Sequence, residues 1–326
     1  MNKARELYLD VFKKHFSNVK TIIPLCSKTA CAIVEPRSHE HLEFVIKNMV
    51  FFCPGWSLYI FHSKENRTFV HDLLCDHQSK YIHFIEFCDG NISVQQYNKL
   101  LVSPWFYNNF ANDGVEYVLI FQTDSFLCRH GIDEYVRLGF DYIGAPWDHE
   151  NYEFQAGNGG LSLRKVSKMI EITTSPAYQW QGENEDLFFQ KSLEGANGRL
   201  MHKNTSLMRS FSVEGIFHPN PLGVHKYWCW LPNRFLDIHL HQVGVVDVEE
   251  AWYGTPRYLF VDVTSVVQFM ATVEKTIWAS NDWLGDPCPS HKKVLRVTYR
   301  VNNSKERHYK EIDEDNYYFI TFTHNL

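Results

Sequence analysis

Val115-Glu116-Tyr117-Val118-Leu119-Ile120-Phe121-Gln122-Thr123-Asp124-Ser125 decides how this chain folds. Tyr117 to Phe121 is apolar at every position, without alternation. That is the pattern of a strand covered on both faces, as in a parallel sheet. The run breaks into polar residues and delivers one carboxylate, Asp124, to the strand's C-terminal edge. In open α/β sheets that edge is where ligands bind. An Asp at a strand end also caps a following turn, so the position alone does not choose between the two roles.

Upstream, Thr29–Val34 reads as a strand closed by Glu35-Pro36-Arg37, and Leu42–Met49 has helical spacing. Pro54-Gly55 breaks that helix, and Trp56–His62 is the next strand. Helix-like and strand-like segments alternate up to residue 120. The alternation predicts βαβ units and a Rossmann-like, mainly parallel sheet flanked by helices. Residues 1–28 read as a short amphipathic helix and a lead-in.

Downstream, residues 140–165 are rich in Gly and aromatic residues, as functional loops are. Glu183–Leu193 is helical, and 196–250 is mixed and rich in His and Trp. Leu259–Phe269, Lys292–Val301 and Tyr317–Thr323 are β-branched or aromatic runs, with Asn302-Asn303-Ser304 as a hairpin connection. The expected organisation is an α/β domain over residues 1–250 and a small all-β domain over 251–326.

Composition narrows the function classes. Of 326 residues, 44% are hydrophobic and 21% charged, which excludes a disordered chain. The net charge of -6 argues against a general nucleic-acid binder. No stretch approaches the roughly 20 apolar residues that cross a bilayer, and the charged start Met1-Asn2-Lys3-Ala4-Arg5-Glu6 has no signal-peptide core. None of the eight cysteines forms a Cys-x-x-Cys pair. Reduced core thiols and a cytoplasmic setting are expected.

Four segments carry residues suited to chemistry. In Gln122-Thr123-Asp124-Ser125, Asp124 suits a ligand to Mg2+ or Mn2+, or an acceptor for a ribose or sugar hydroxyl. Asp141–Trp147 is followed by Gly157-Asn158-Gly159-Gly160 and then by Leu161-Ser162-Leu163-Arg164. Three glycines in four residues let a backbone come close to a ligand, and Trp147 offers a flat wall. Glu183-Asn184-Glu185-Asp186 precedes an apolar helical face. The helix dipole favours such charge, and one of these carboxylates suits a general base. We expect Asp186 in that role, with Glu185 beside it as a structural or acceptor-orienting residue. In Pro221-Leu222-Gly223-Val224-His225-Lys226, His225 suits a metal ligand or a diphosphate contact, and Lys226 would neutralise phosphate charge. His239 and His241 alternate along a possible strand and are weaker metal candidates.

In this order the segments resemble a family of glycosyltransferase-like proteins of bacteria, fungi and large DNA viruses, similar to the GT-A glycosyltransferase class. The resemblance runs from about Ala32 to Trp228. It rests on Ala32–Arg37, His41–Phe44, Pro54-Gly55-Trp56, Phe121–Ser125, Asp141–Trp147, Gly157–Arg164 and Glu185-Asp186. It implies a GT-A fold and a nucleotide-diphospho-sugar donor, but the donor sugar and the acceptor do not transfer with it; a UDP-linked donor and a hydroxyl of a glycan or glycoprotein as acceptor are our own expectation. It also implies inversion with Asp186 as base. Val34, Glu35, Pro36 and Arg37, with His62 and Ser63, would touch the base and ribose. Asp124 would take the last place of the class's metal-binding Asp-x-Asp, whose first place is Gln122 here. Mn2+ or Mg2+ would then sit on Asp124 with His225 as compensating ligand, unless transfer is metal-independent.

Val261–Thr264, Leu284–Cys288 and Lys293–Tyr299 look like a small C-terminal domain of some J-domain co-chaperones, which implies a β-rich module without chemistry. Two readings compete with the transferase. One is a nucleotide-sugar or glycan-binding module without turnover, motivated by Gln122. The other is a nucleotidyltransferase, against which Glu35-Pro36-Arg37-Ser38 stands because it is not a basic glycine-rich loop.

Overall fold

The computed structural model describes residues 28–74, 81–147, 157–201, 206–216, 218, 221–226, 246–256, 259–273, 276–301 and 305–320. The expected N-terminal helix, the hairpin connection 302–304, Trp228 and the pair His239 and His241 lie outside them. The chain divides into two compact units, Met1–Leu236 and Asp237–Leu326.

The first unit is mixed α/β. Its elements run β1 (Thr29–Val34), α1 (Leu42–Phe52), β2 (Ser57–Ser63), α2 (Arg67–Asp72), β3 (Ile82–Cys88), α3 (Val94–Leu101), α4 (Pro104–Asn112) and β4 (Tyr117–Phe121). Then come β5 (Ser125–Leu127), α5 (Ile132–Leu138), β6 (Tyr142–Ala145), β7 (Asn158–Lys165), α6 (Val166–Thr174), α7 (Glu185–Gly195), α8 (Ser206–Phe211), β8 (Ser212–Val213) and β9 (Gly223–His225). The central sheet has the order β3-β2-β1-β4-β7-β6. β1 to β4 pair in parallel, while β7 runs antiparallel to both β4 and β6.

The buried positions follow the uniform apolar runs. Every residue of β2 and β4 is buried, because helices cover both faces of a parallel sheet. Local signals set the helix starts. Ser93 and Gln96 close a capping box on α3, and Ser103 with Pro104 opens α4. The chain leaves β1 to one side for β2 and β3, then returns to its other side for β4. The strand order therefore reverses between β1 and β4, and the crevice beyond their C-terminal ends is the favoured ligand position.

The second unit contains β10 (Val246–Gly254), β11 (Phe260–Asp262), α9 (Thr264–Val273), β12 (Thr276–Ala279), α10 (Asn281–Leu284), β13 (Val294–Val301), β14 (His308–Asp313) and β15 (Asn316–Phe319). A four-stranded sheet of order β11-β10-β13-β14 is accompanied by the pair β12-β15. β13 and β14 pair antiparallel on either side of the expected hairpin.

Two expectations are corrected here. The boundary expected at residue 250 would cut β10, whose whole length pairs with β13. The unit is also not all β, because Leu259–Phe269 is a short strand followed by a helix. Asp262 Oδ1 accepts from the Thr264 backbone N–H and hydroxyl, which stops the strand. Gln268 then ties α9 to the backbone of Val246 and Val248.

Among the described residues no helix is long and apolar enough to cross a membrane. The described cysteines are free thiols. Cys31, Cys53, Cys128 and Cys288 are buried and Cys88 is partly so.

Candidate active site

The turn after β1 is held from below. Ser63 Oγ donates to the Pro36 carbonyl at 2.7 Å, and Asn66 Nδ2 donates to the carbonyls of Glu35 and Arg37, both at 2.9 Å. The Glu35 carboxylate accepts from the Arg37 backbone N–H and from its guanidinium at 2.8 to 2.9 Å. The turn thus presents Val34 to Arg37 in a fixed shape. His62 and Ser63 were expected to touch a ligand. They are 2% and 0% exposed; Ser63 holds the turn, and His62 Nδ1 lies 2.8 Å from the Ser63 carbonyl.

The β4 end is built the same way. Ser125 Oγ accepts from the Gln122 N–H at 2.9 Å and donates to the Gln122 carbonyl at 2.8 Å. Ser125 is therefore a buried turn-former. Its job leaves Gln122, Thr123 and Asp124 facing the crevice. β5 pairs antiparallel with β9, so Ser125 stands opposite His225. The Lys226 N–H also donates to the Asp124 carbonyl at 3.1 Å.

This register seats the 1%-exposed His225 ring between two carboxylates. Its Nε2 lies 3.4 Å from Asp124 Oδ1, and its Nδ1 lies 3.5 Å from Glu214 Oε2. Burial would lower the His225 pKa, but both carboxylates outweigh it and raise the value to about 9. Burial pushes the Asp124 carboxyl up, and His225 and Lys226 more than reverse this, leaving it below its ordinary value.

Behind these residues lies α7. Arg164 on β7 is fully buried and meets Glu185 through two hydrogen bonds of 2.7 and 2.9 Å. It also donates to the hydroxyls of Tyr107 and Ser162. Glu185, expected as a structural or acceptor-orienting residue beside the base, is held in this pair. Asp186, next in sequence, faces the crevice. Its Oδ2 accepts from the Gly159 N–H at 3.2 Å and its Oδ1 from the Leu187 N–H at 2.8 Å. Burial, then the charge of Glu185, raise its pKa to about 6.

The glycines serve packing as much as any ligand. A Cβ on Gly159 would run into Glu185 Oε1, and one on Gly160 into the His225 ring. Gly157, at φ +84°, packs on the Ala145 carbonyl. The expected close approach is thus made first by the protein's own side chains.

These groups line one cavity of about 420 Å³. Val34–Arg37, Gln122–Asp124, Asn158–Gly160, Glu185, Asp186, His225 and Lys226 all border it. His62, Ser63, Ser125, Trp147 and Gly157 do not. Asn91–Val94, Tyr97, Asn98 and Asn184 complete the wall. In the sequence only the Ser93–Gln96 capping pair marks that stretch. Among the described residues no three His, Cys, Asp or Glu side chains converge as a metal site. Asp124 and His225 stand as a pair, and Gln122 Oε1 is a further oxygen 3.3 Å from His225 Nε2.

A family described as a protein of unknown function, DUF5672, matches residues 82–225, the span from β3 to His225. No curated protein matches the chain. Among solved structures, the chain is similar to 4-diphosphocytidyl-2C-methyl-D-erythritol synthase from Anaerococcus prevotii DSM 20548. The identity is 8% and the TM-score 0.34, over 53% of this chain and 84% of that one. A likeness this distant says nothing about the chemistry of the cavity.

Proposed function

We propose that the first unit is a GT-A-class glycosyltransferase. It would move a sugar from a nucleoside-diphosphate sugar, UDP-linked, to a hydroxyl of a glycan or glycoprotein. The observation that carries this reading is the cavity itself. A carboxylate with its pKa raised to about 6, Asp186, borders the same space as the Asp124–His225 pair. A group poised near the working pH suits proton transfer, and the Asp124–His225 side, with Lys226, suits a charged leaving group.

In the reaction the acceptor oxygen attacks the anomeric carbon, and the bond from that carbon to the diphosphate oxygen breaks. Asp186 takes the acceptor proton. Attack opposite the leaving group gives inversion. Asp124 and His225 would hold Mn2+ or Mg2+, which when bound offsets the charge developing on the departing diphosphate. Lys226 and Arg37 border the cavity and add positive charge there. Asn98 donates to Asn184 Oδ1 at 3.3 Å and accepts from the Glu185 N–H at 3.4 Å, which fixes the start of α7 and so the position of Asp186.

Incubating the protein with a panel of nucleotide-sugars, acceptors and Mn2+ tests the reading. Transfer or donor hydrolysis is expected, and Asp186→Asn should slow it about 10²- to 10⁴-fold while UDP still binds. Wild-type rates in Asp186→Asn would remove Asp186 as base. Nucleotide-sugar binding without turnover across the panel would favour a binding module.

A further inference from the structure

Tyr97 on α3 borders the cavity and takes no part in the chemistry proposed above. We propose that its hydroxyl donates a hydrogen bond to one hydroxyl of the sugar being transferred, and so selects among donors. The inference rests on the reading of the first unit as a nucleotide-sugar transferase. It deepens that reading by naming a residue that recognises the sugar and not the nucleotide.

Tyr97 links the two sides of the cavity. Its hydroxyl accepts from Gln122 Nε2 at 3.0 Å, at the C-terminal edge of β4. The next residue of α3, Asn98, bonds to Asn184 and to the Glu185 N–H at the start of α7. The Tyr97 hydroxyl feels the charges of Glu185 and of Asp124 alike. It therefore stands between the Asp124 side, from which the diphosphate departs, and the start of α7, where Asp186 takes the acceptor proton. In an inverting transfer the group between leaving group and base is the sugar itself.

Gln122 fixes the polarity of the contact. Its amide turns Oε1 toward His225 Nε2, at 3.3 Å, and Nε2 toward Tyr97. The phenol oxygen thus accepts from the protein, and its own hydrogen is left over. Among the described residues no acceptor takes that hydrogen. A phenol keeps its proton at neutral pH, and burial with the charge of Glu185 pushes its pKa further up. The cavity therefore offers a neutral O–H donor at this point. Its complement is an oxygen with a free lone pair, which every sugar hydroxyl carries. A carboxylate in place of the Gln122 amide would take the hydrogen and withdraw the donor.

The ring is held in place. It packs against the core of the first unit. The Tyr97 N–H donates to the Ser93 carbonyl at 2.9 Å, and the Ser93–Gln96 capping box fixes that turn. A donor ordered in advance costs little to immobilise on binding. A sugar lacking the matching hydroxyl leaves it unpaired, which is the strong form of discrimination.

Isothermal titration calorimetry on the full chain with Mn2+ present tests this apart from activity. The probes are UDP, UDP-glucose, UDP-galactose and UDP-N-acetylglucosamine, then the monodeoxy analogues of whichever sugar nucleotide binds most tightly. Tyr97→Phe keeps the ring and removes only the hydroxyl. It should weaken the preferred UDP-sugar about tenfold and leave UDP within about twofold, and UDP binding itself shows that the variant is folded with Gln122 undisturbed. One monodeoxy analogue should bind the wild type about tenfold more weakly than its parent, and Tyr97→Phe should no longer tell the two apart. Gln122→Glu should close the same gap between that analogue and its parent. Undiminished affinity for the preferred UDP-sugar in Tyr97→Phe would overturn the contact and leave the transferase standing. An equal loss for UDP, or for the parent and every deoxy analogue, would overturn it too, because a residue that merely supports the wall behaves that way. A wild type that binds no UDP-sugar would overturn the transferase reading and this inference with it.

Discussion

Arg164 and Glu185 form a two-point ion pair across the interior of the first unit, at 2.7 and 2.9 Å, with side chains 0% and 6% exposed. The pair joins β7 to the first turn of α7 and thereby sets where Asp186 stands. Removing one partner strands the other charge in an apolar interior. Glu185→Gln is expected to cost about 3–5 kcal/mol of folding stability, read as a lower urea midpoint. Asp186→Asn should keep the fold and lose transfer. If Glu185→Gln unfolded at the wild-type midpoint, the pair would not be what holds α7.

Asp186 ties activity and stability to pH in opposite directions. With its pKa raised to about 6, the base is ionised only above that value. The kcat/KM for transfer should climb as pH passes through about 6 and then level off. Stability runs the other way, because the folded protein holds this proton more tightly than the unfolded chain does. The stabilisation is complete below the unfolded value near 4 and is lost as pH rises through about 6. It amounts to about 3 kcal/mol. Asp186→Asn should therefore unfold at a higher temperature than the wild type at pH 8 and gain nothing at pH 4. A gain of equal size at both pH values would separate the effect from this carboxyl.

The sequence carried the parts of the site that are local. The unbroken run Tyr117–Phe121 announces its strand, Gly157–Gly160 its tight backbone, and Glu185-Asp186 a helix start. Roles set by long-range partners were hidden. Glu185 reads only as a structural or acceptor-orienting neighbour of the base until Arg164, 21 residues away, is seen to hold it. Ser63 and Asn66 look like any strand end until they are found clamping a turn about 30 residues earlier. In the second unit, the β-branched run around Val266 and Val267 suggests a strand by propensity. The Asp262–Thr264 turn and burial of Val267, Met270 and Ala271 against β10 override it.

Asn66 offers a way to loosen the nucleotide end of the cavity without touching the chemistry. Its side-chain amide links two carbonyls of the turn after β1, and Oδ1 accepts from the Ser63 N–H and hydroxyl. Asn66→Ala leaves buried carbonyls unpaired, at a cost of about 1–3 kcal/mol. The turn should then present Val34 to Arg37 less uniformly. KM for the donor should rise several-fold, with kcat within about twofold of wild type. A fall in kcat at constant KM would contradict a ground-state binding role for this turn.

Gly160 is the position where a single methyl should separate site architecture from general folding. Its Cβ would enter the space of the His225 ring, and the colliding partner is a buried side chain fixed between Asp124 and Glu214. The ring has nowhere to retreat. Gly160→Ala should therefore cost about 1–3 kcal/mol through overpacking and depress transfer by more than ten-fold, because His225 is pushed off its partners. Gly114→Ala is the comparison. That glycine sits at φ +77° with open space around it, so alanine pays only backbone strain of about 1–2 kcal/mol and transfer should be unchanged. Denaturant midpoints and transfer rates for the two variants, measured together, decide the matter. If Gly160→Ala lost stability but kept full transfer, the seating of His225 would be irrelevant to the reaction.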